Sequence, residues 1–508
     1  MTRMKDIVKN MMFGTLAKIV GMLLNFVSRT LFIYTLGSEY LGVNGLYTEI
    51  LGVLSFAELG FGSAMTFAMY KPVADGDNER VIQLLAFYKK VYSIIGAIIT
   101  LLGICVVPFL QYIVRGADAL SIQELRIYFM FFLANTVIGY FVSYKYSYLN
   151  AQMRNYVATN VDTIFNFCTV VVQIAAIWIF KSYYAYLIAH TAILCVSRGF
   201  ISVYLNKKEP VLKCIPDRPL PRDEKKQIIN EVKGLAVHQF ASVAVHSTDN
   251  IIISSMSSLG IVGVGLVSNY NMLMTTVLSF VLIVFNSVTS GFGNIVAKDE
   301  KQHFHDVFYE LNILNAWMYG FCCIAFFILI PPFITLWIGK ENLIDNVSFL
   351  LITVNCYFQG QCTLYNNARN ACGNFNKDKW LALLQAIVNL IVSVVCVRKL
   401  GLVGVYIGTV ASRLVYVCLR PACTYRMLFD RSACEYYLVM LRYFLIVCVA
   451  GIAAYMATYR LLMDVSVMSF IFAAMIVVVV ANAVMILFCW RKPEAKRMIG
   501  RLLSVRRK

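Results

Sequence analysis

Fourteen apolar stretches, each about twenty residues or longer, recur along the chain, and no other feature narrows its folding so much. They fall at about 11–36, 41–70, 88–113, 125–149, 157–180, 183–205, 230–256, 262–297, 306–332, 343–367, 379–398, 402–425, 435–459 and 465–490. A helix rises about 1.5 Å per residue, so some twenty apolar residues match the ~30 Å hydrocarbon core of a bilayer. In hydrocarbon every backbone N–H and C=O needs an internal partner, which for spans of this length means helices. The chain is therefore expected to be all-α and polytopic, with about 14 transmembrane helices. Composition agrees, with 60% hydrophobic and 14% charged residues among 508. The longest polar interruption, 206–233, is too short to bury a core of its own, so no separate soluble domain is expected.

A net charge of +18 could point to nucleic acid, but the positive residues alternate between connections. One set of loops, with both ends of the chain, carries 32 of the 45 Lys and Arg, and the other set carries six. The positive-inside rule then places both termini and the central loop in the cytoplasm. That loop holds four prolines and reads as a linker. Five regions are expected: an N-terminal six-helix lobe (1–205), a cytoplasmic linker (206–229), a C-terminal six-helix lobe (230–430), an extra transmembrane pair (431–490) and a basic cytoplasmic tail (491–508). Echoes across the linker suggest a repeat: Gly45-Leu46 recurs as Gly265-Leu266, and Leu54-Ser55-Phe56 as Leu278-Ser279-Phe280.

The first span carries a polar stripe. At 100° per residue, Lys18, Asn25 and Arg29 share one helix face over roughly 16 Å of axis. A cation at the bilayer centre costs roughly 2.5–3.5 kcal/mol, so such groups face a protein interior or a watery cavity, pair with acids, or snorkel to the interface. Other stripes are Asp162, Asn166 and Gln173; His238, Ser242, His246 and Asp249; Asn271, Thr275, Ser279 and Asn286; and Asn355, Gln359 and Asn366. Each alone fits ordinary interhelical hydrogen bonding, and together they fit a shared hydrophilic interior.

Catalytic signals are sparse. Asp75-Gly76-Asp77 is formally a D-x-D but reads as a turn. His303 and His305 form an isolated H-x-H pair, and no nucleotide-binding P-loop is present. The fifteen cysteines lack zinc-finger or redox spacing, so buried thiols are expected. No cleavable signal peptide is expected, since the first apolar stretch exceeds a signal core. Glu49 and Glu58 lie nine apart, on opposite faces of one helix, and Glu58 sits among glycines that permit a bend.

The runs Ser28-Arg29-Thr30-Leu31-Phe32-Ile33 and Leu36-Gly37-Ser38-Glu39-Tyr40-Leu41-Gly42-Val43-Asn44-Gly45-Leu46 are distinctive. So are Leu54-Ser55-Phe56-Ala57-Glu58-Leu59-Gly60-Phe61-Gly62-Ser63-Ala64 and Tyr70-Lys71-Pro72. Together they resemble Wzx-type flippases of lipid-linked polysaccharide repeat units, members of the multidrug/oligosaccharidyl-lipid/polysaccharide (MOP) exporter superfamily. Thr248-Asp249-Asn250-Ile251-Ile252-Ile253-Ser254 and Gly265-Leu266-Val267-Ser268-Asn269-Tyr270-Asn271 resemble the second half of that pattern.

The resemblance implies a MATE-like fold, two six-helix lobes in a V around a central cavity, with a final pair similar to that of lipid II flippases. It also implies movement of undecaprenyl-diphosphate-linked oligosaccharide repeat units from the cytoplasmic to the outer leaflet of a bacterial plasma membrane. The expected mode is alternating access, coupled to protons, sodium ions or the membrane potential, with no enzymatic step, cofactor or metal centre. The cavity residues expected are Lys18, Asn25, Arg29, Glu58, Asn166, His246, Asp249, Asn286 and Gln359. Lys18 and Arg29 would attract the diphosphate, and amides would meet sugar hydroxyls. Expected partners are the lipid-linked oligosaccharide, membrane lipids, a polysaccharide polymerase and glycosyltransferases, and not nucleic acid. Two other readings stay open: a cation-coupled exporter of drugs or other lipids, and a membrane polymerase or glycosyltransferase.

Overall fold

The computed structural model describes residues 20–58, 61–117, 120–216, 218–297, 301–371, 379–490, 492 and 495–497. Lys18 lies outside them, as do the side chains of His246 and Asn286. No strand occurs among the described residues. Helix α1 (Val20–Leu36) ends at Gly37, from which α2 (Ser38–Leu54) starts at once. A single 3₁₀ turn (Ser55–Glu58) separates α2 from α3 (Phe61–Asp75). The next spans are α4 (Asn78–Val106) with its short continuation α5 (Leu110–Ile113), then α6 (Ile122–Ala151), α7 (Asn155–Phe180) and α8 (Tyr183–Lys208). After a proline-rich connection come α9 (Arg222–Met256), α10 (Gly260–Ala297), α11 (Lys301–Ile338) and α12 (Asn346–Ala371). The chain closes with α13 (Lys379–Leu400), α14 (Leu402–Phe429), α15 (Ala433–Thr458) and α16 (Val467–Cys489).

Ten of the described helices are long and apolar enough to cross a bilayer. The remaining expected passes are α1 and the broken pair α2–α3, whose described helices are shorter, and α9 and α12, which carry more polar residues. The turn reading of Asp75-Gly76-Asp77 holds: Gly76 takes φ +72°, and the Asp77 side chain caps α4 by accepting the Arg80 N–H at 3.0 Å.

Within the linker expected over 206–229, α8 runs on to Lys208 and α9 starts at Arg222. The four prolines confine the irregular stretch, and Asp223 and Glu224 suit the first turn of a helix. This stretch is clasped at both ends: Arg154 Nη1 donates to Glu209 Oε1 at 2.6 Å, and Arg80 pairs with Glu224. Glu209 holds the Arg154 guanidinium above its ordinary pKa. Arg420, counted from sequence as a loop charge, is buried within α14 because that helix runs on to Phe429.

The chain forms two compact units: residues 1–255 with 259–265, and 256–258 with 266–508. In the first unit, α2 meets the opening turns of α10 at van der Waals limits. A Cβ on Gly42 would strike the Ile261 carbonyl oxygen, and one on Gly265 would strike that of Ser38. Small residues let membrane helices approach this closely. The same hairpin tip is tied down by Ile261 N–H donating to Arg115 O at 2.7 Å and by Ser254 Oγ donating to Ile113 O at 2.7 Å. In the second unit, α11 is the central helix, touching α12, α14, α15 and α16.

Candidate functional site

Polar groups in the first unit gather around the broken second span. Arg29, half-buried on α1, lies beside Tyr186 of α8, with Asn44 and Gln173 close to the Tyr186 hydroxyl. Gln173 Nε2 and His190 Nδ1 are 3.2 Å apart. Phe32 packs edge-on against Tyr183 and Tyr186, with ring centroids at 5.8 and 5.2 Å, and so positions α1 on α8. A cavity of about 420 Å³ opens here, lined by Asn44, Thr48, Asn135, Thr136, Tyr186 and His190, with Ser55 on its wall.

A second cavity, of about 690 Å³, begins on the other side of the 3₁₀ turn. Glu58 lines it together with Thr66, Tyr92, Tyr146, Ser147 and Asp162. The phenols of Tyr92 and Tyr140 lie beside the Glu58 carboxylate, and Ser55 lies beside Tyr140. Asp162 pairs with Arg198 at 2.9 Å and accepts from the Tyr146 hydroxyl at 3.0 Å. Nearby, the buried Lys145 ammonium donates to Ser202 Oγ (2.6 Å) and Asn206 Oδ1 (2.9 Å).

The second unit handles charge differently. Arg413 Nε donates to Asn355 Oδ1 at 3.1 Å, and Arg420 donates to Asn366 Oδ1 while stacking on Tyr416, 4.3 Å from the ring centroid. Both arginines are nearly inaccessible. Between α11, α12 and α15 lies an apolar groove of about 340 Å³, lined by Phe327, Tyr357, Phe444 and Val447 among others.

Of the expected site residues that are described, Arg29 and Glu58 lie in the first unit's polar interior, at separate places. Asn25, Asn166 and Gln359 are exposed, and Asp249 is half-buried on α9. The α7 stripe divides: Asp162 meets Arg198, Gln173 meets His190, and Asn166 is exposed and lines neither of these two cavities. Sequence reasoning missed Lys145, Tyr92, Tyr140, Arg413 and Arg420. The seven-residue spacing of the two arginines, which puts both on one face of α14, was the available signal.

The family described as polysaccharide biosynthesis protein matches residues 7–290, more than half of the chain. No curated protein matches. Among solved structures, an inward-closed lipid II flippase, MurJ, aligns with a TM-score of 0.64 at 13% identity, over 94% of this chain and 98% of that one. An inward-facing multidrug-resistance MATE transporter of the MOP superfamily aligns at 0.62 and 18% identity, over 78% and 92%. A single-residue mutant of the Vibrio cholerae MATE transporter VcmN aligns at 0.57 and 14%, over 85% and 99%. The fold is thus that of MATE transporters and MurJ, and this multi-span membrane protein belongs to the polysaccharide biosynthesis protein family.

Proposed function

We propose that this protein flips undecaprenyl-diphosphate-linked oligosaccharide repeat units from the cytoplasmic to the outer leaflet of a bacterial plasma membrane by alternating access, driven by an ion gradient or the membrane potential. Both termini lie in the cytoplasm, and no bond in the substrate is made or broken. The lobes are those read from the sequence, 1–205 and 230–430, joined by 206–229 and followed by the pair 431–490 and the tail 491–508. Lys18 and Arg29 offset the desolvation of the diphosphate. Asn25, Asn166, His246, Asp249, Asn286 and Gln359 meet sugar hydroxyls, while the prenyl chain stays in apolar surroundings.

The observation that carries this reading is how much of the chain the lipid II flippase accounts for. MurJ matches 94% of it and the MATE transporter 78%, a difference of about 80 residues. The stretch from Ala433 to the end, which holds α15 and α16, has nearly that length. A final helix pair beside an apolar groove suits a substrate with a long hydrocarbon tail. The multidrug MATE neighbours support a second reading, drug export, which resistance assays on expressing cells decide.

The direct test uses vesicles holding the purified protein and a fluorescent lipid-diphosphate oligosaccharide. A charged hydrogen bond is worth about 1.5–3 kcal/mol, so Arg29→Ala is expected to slow flipping roughly 10- to 150-fold, with Arg29→Lys in between. Wild-type flipping by Arg29→Ala, correctly inserted, ends the assignment of that residue.

A further inference from the structure

One stripe of α8 stays exposed from the middle of the helix to its end. It comprises Ala192, Val196, Phe200, Val203 and Lys207, which at 100° per residue fall within about 80° of one another. From Ala192 to Val203 the stripe rises about 16 Å, half the ~30 Å hydrocarbon thickness, so its apolar part faces one leaflet. The change from Val203 to Lys207 then marks the level of the headgroups. We infer that this end of α8 seats one anionic phospholipid, with its phosphate diester on Lys207 and Lys208 and an acyl chain along the stripe. The inference lies beyond transport and needs only that α8 spans the membrane.

An aromatic ladder leads to the same place. Phe165 of α7 meets Phe200 with ring centroids 5.7 Å apart, Phe200 stacks on Tyr204 at 6.0 Å, and Lys208 Nζ lies 5.1 Å from the Tyr204 centroid. Aromatic rings concentrate at the level of lipid headgroups, and the Tyr204 face holds the Lys208 ammonium there. Lysines in the last turn of a helix also suit its macrodipole. That role asks for positive charge and for no neighbouring ring.

The acid next in sequence is turned away from the lysines. Glu209 Oε1 accepts from Arg154 Nη1 at 2.6 Å, and its Oε2 accepts from the Tyr148 hydroxyl at 3.4 Å. Farther along, Glu224 is taken by Arg80. A 3₁₀ turn (Pro210–Lys213) touches α8 and is held down by Leu212, which packs against the core shared by α6, α7 and α8. Its Lys213 is exposed and adds a third cation to this edge. Among the described residues no carboxylate pairs with Lys207, Lys208 or Lys213. The arginine clasps therefore consume the acids and leave the lysines to an anion from outside the chain. Each ammonium offers three donors, and a phosphate diester offers charged oxygens to accept them. A zwitterionic headgroup brings an ammonium of its own, which these lysines repel.

Native mass spectrometry of the full chain in detergent, titrated with phosphatidylglycerol or phosphatidylcholine of identical chains, tests the affinity. One phosphatidylglycerol is expected to bind more tightly than phosphatidylcholine. Attraction to an anionic lipid is worth about a fivefold gain per lysine, so Lys207→Gln with Lys208→Gln should weaken that binding about thirtyfold. Arginine at both positions should retain it. Arg222→Gln with Lys226→Gln, which removes two exposed cations of α9 instead, should change it little. Equal binding of the two lipids, or equal weakening by the two glutamine pairs, overturns the proposal. Location is read in vesicles doped with a phosphatidylglycerol that carries a photoreactive diazirine on its acyl chain. The α8 peptide holding residues 196–203 should be labelled in the wild type and lose most of its label with glutamine at 207 and 208. Labelling of that peptide unchanged by the glutamines overturns the seat. No lipid-linked sugar is present, so these outcomes stand apart from failure of the flippase reading.

Discussion

Gly265→Ala is the sharpest perturbation the packing offers. The added methyl lies inside van der Waals contact with the Ser38 carbonyl oxygen, a backbone atom that cannot rotate away. Gly263→Ala, two residues earlier, meets Leu259 Cβ at 2.8 Å and Ile253 Cγ2 at 3.1 Å, neither of which belongs to α2, so its cost falls outside the α2–α10 contact. Overpacking a tight contact costs about 1–3 kcal/mol. If α2 and the tip of α10 separate as a unit, that cost raises the separated population roughly 5- to 150-fold, and Gly263→Ala raises it much less. The assay is a thiol at Val264, which is fully buried beside Gly45. Val264→Cys is combined with each alanine change, and its maleimide reaction rate is followed by mass spectrometry. Because only the separated form reacts, the rate should rise in proportion to its population. A rate for Gly265→Ala no higher than for Gly263→Ala would refute the reasoning. Should the contact form in only one state of the transport cycle, flipping by Gly265→Ala will change by a comparable factor.

Two further substitutions probe the second unit. Asn366→Leu removes the acceptor of the buried Arg420 guanidinium, and a hydrogen bond to a charged group is worth about 1.5–3 kcal/mol, so the melting temperature of the detergent-solubilised protein should fall by several degrees. Asn482→Ala removes the bond from Trp317 Nε1 (2.8 Å) that ties α16 to α11; interhelical bonds in membranes average about 0.6 and reach about 1.7 kcal/mol, so stability should drop slightly while Trp emission shifts.

What the sequence disclosed follows from which forces are local. Hydropathy over twenty residues and turn chemistry such as Asp75-Gly76-Asp77 are properties of contiguous residues, so the passes and several of their ends were legible. The break in the second span was foreseeable from its glycines, whereas the neighbours of its Ser55–Glu58 turn, Tyr140 of α6 and Tyr92 of α4, are remote in sequence. Periodicity assigns a residue to a face and leaves its neighbour undetermined. Asp162, Asn166 and Gln173 share a face of α7, yet different residues of α8 meet the first and last of them, and Asn166 remains exposed. Arg420 was overlooked because the charge of a span-end arginine is ordinarily spent on topology, and Arg413 lies mid-span with no second charge beside it in sequence; both are met by asparagines of α12.

A charge inside the bilayer must be neutralised, solvated by protein dipoles, or reached by water. Asp162 and Arg198 take the first course. Lys145, Arg413 and Arg420 take the second, through serine and asparagine oxygens on a neighbouring helix, and their substitution is expected to act mainly on stability. Glu58 lies beside two phenols and lines a cavity wide enough for water, which is the third course. The same criterion sorts the polar groups of multi-span transporters. A buried ion enclosed by fixed partners holds helices together, while one that keeps access to water and partners able to donate or accept is available for transport.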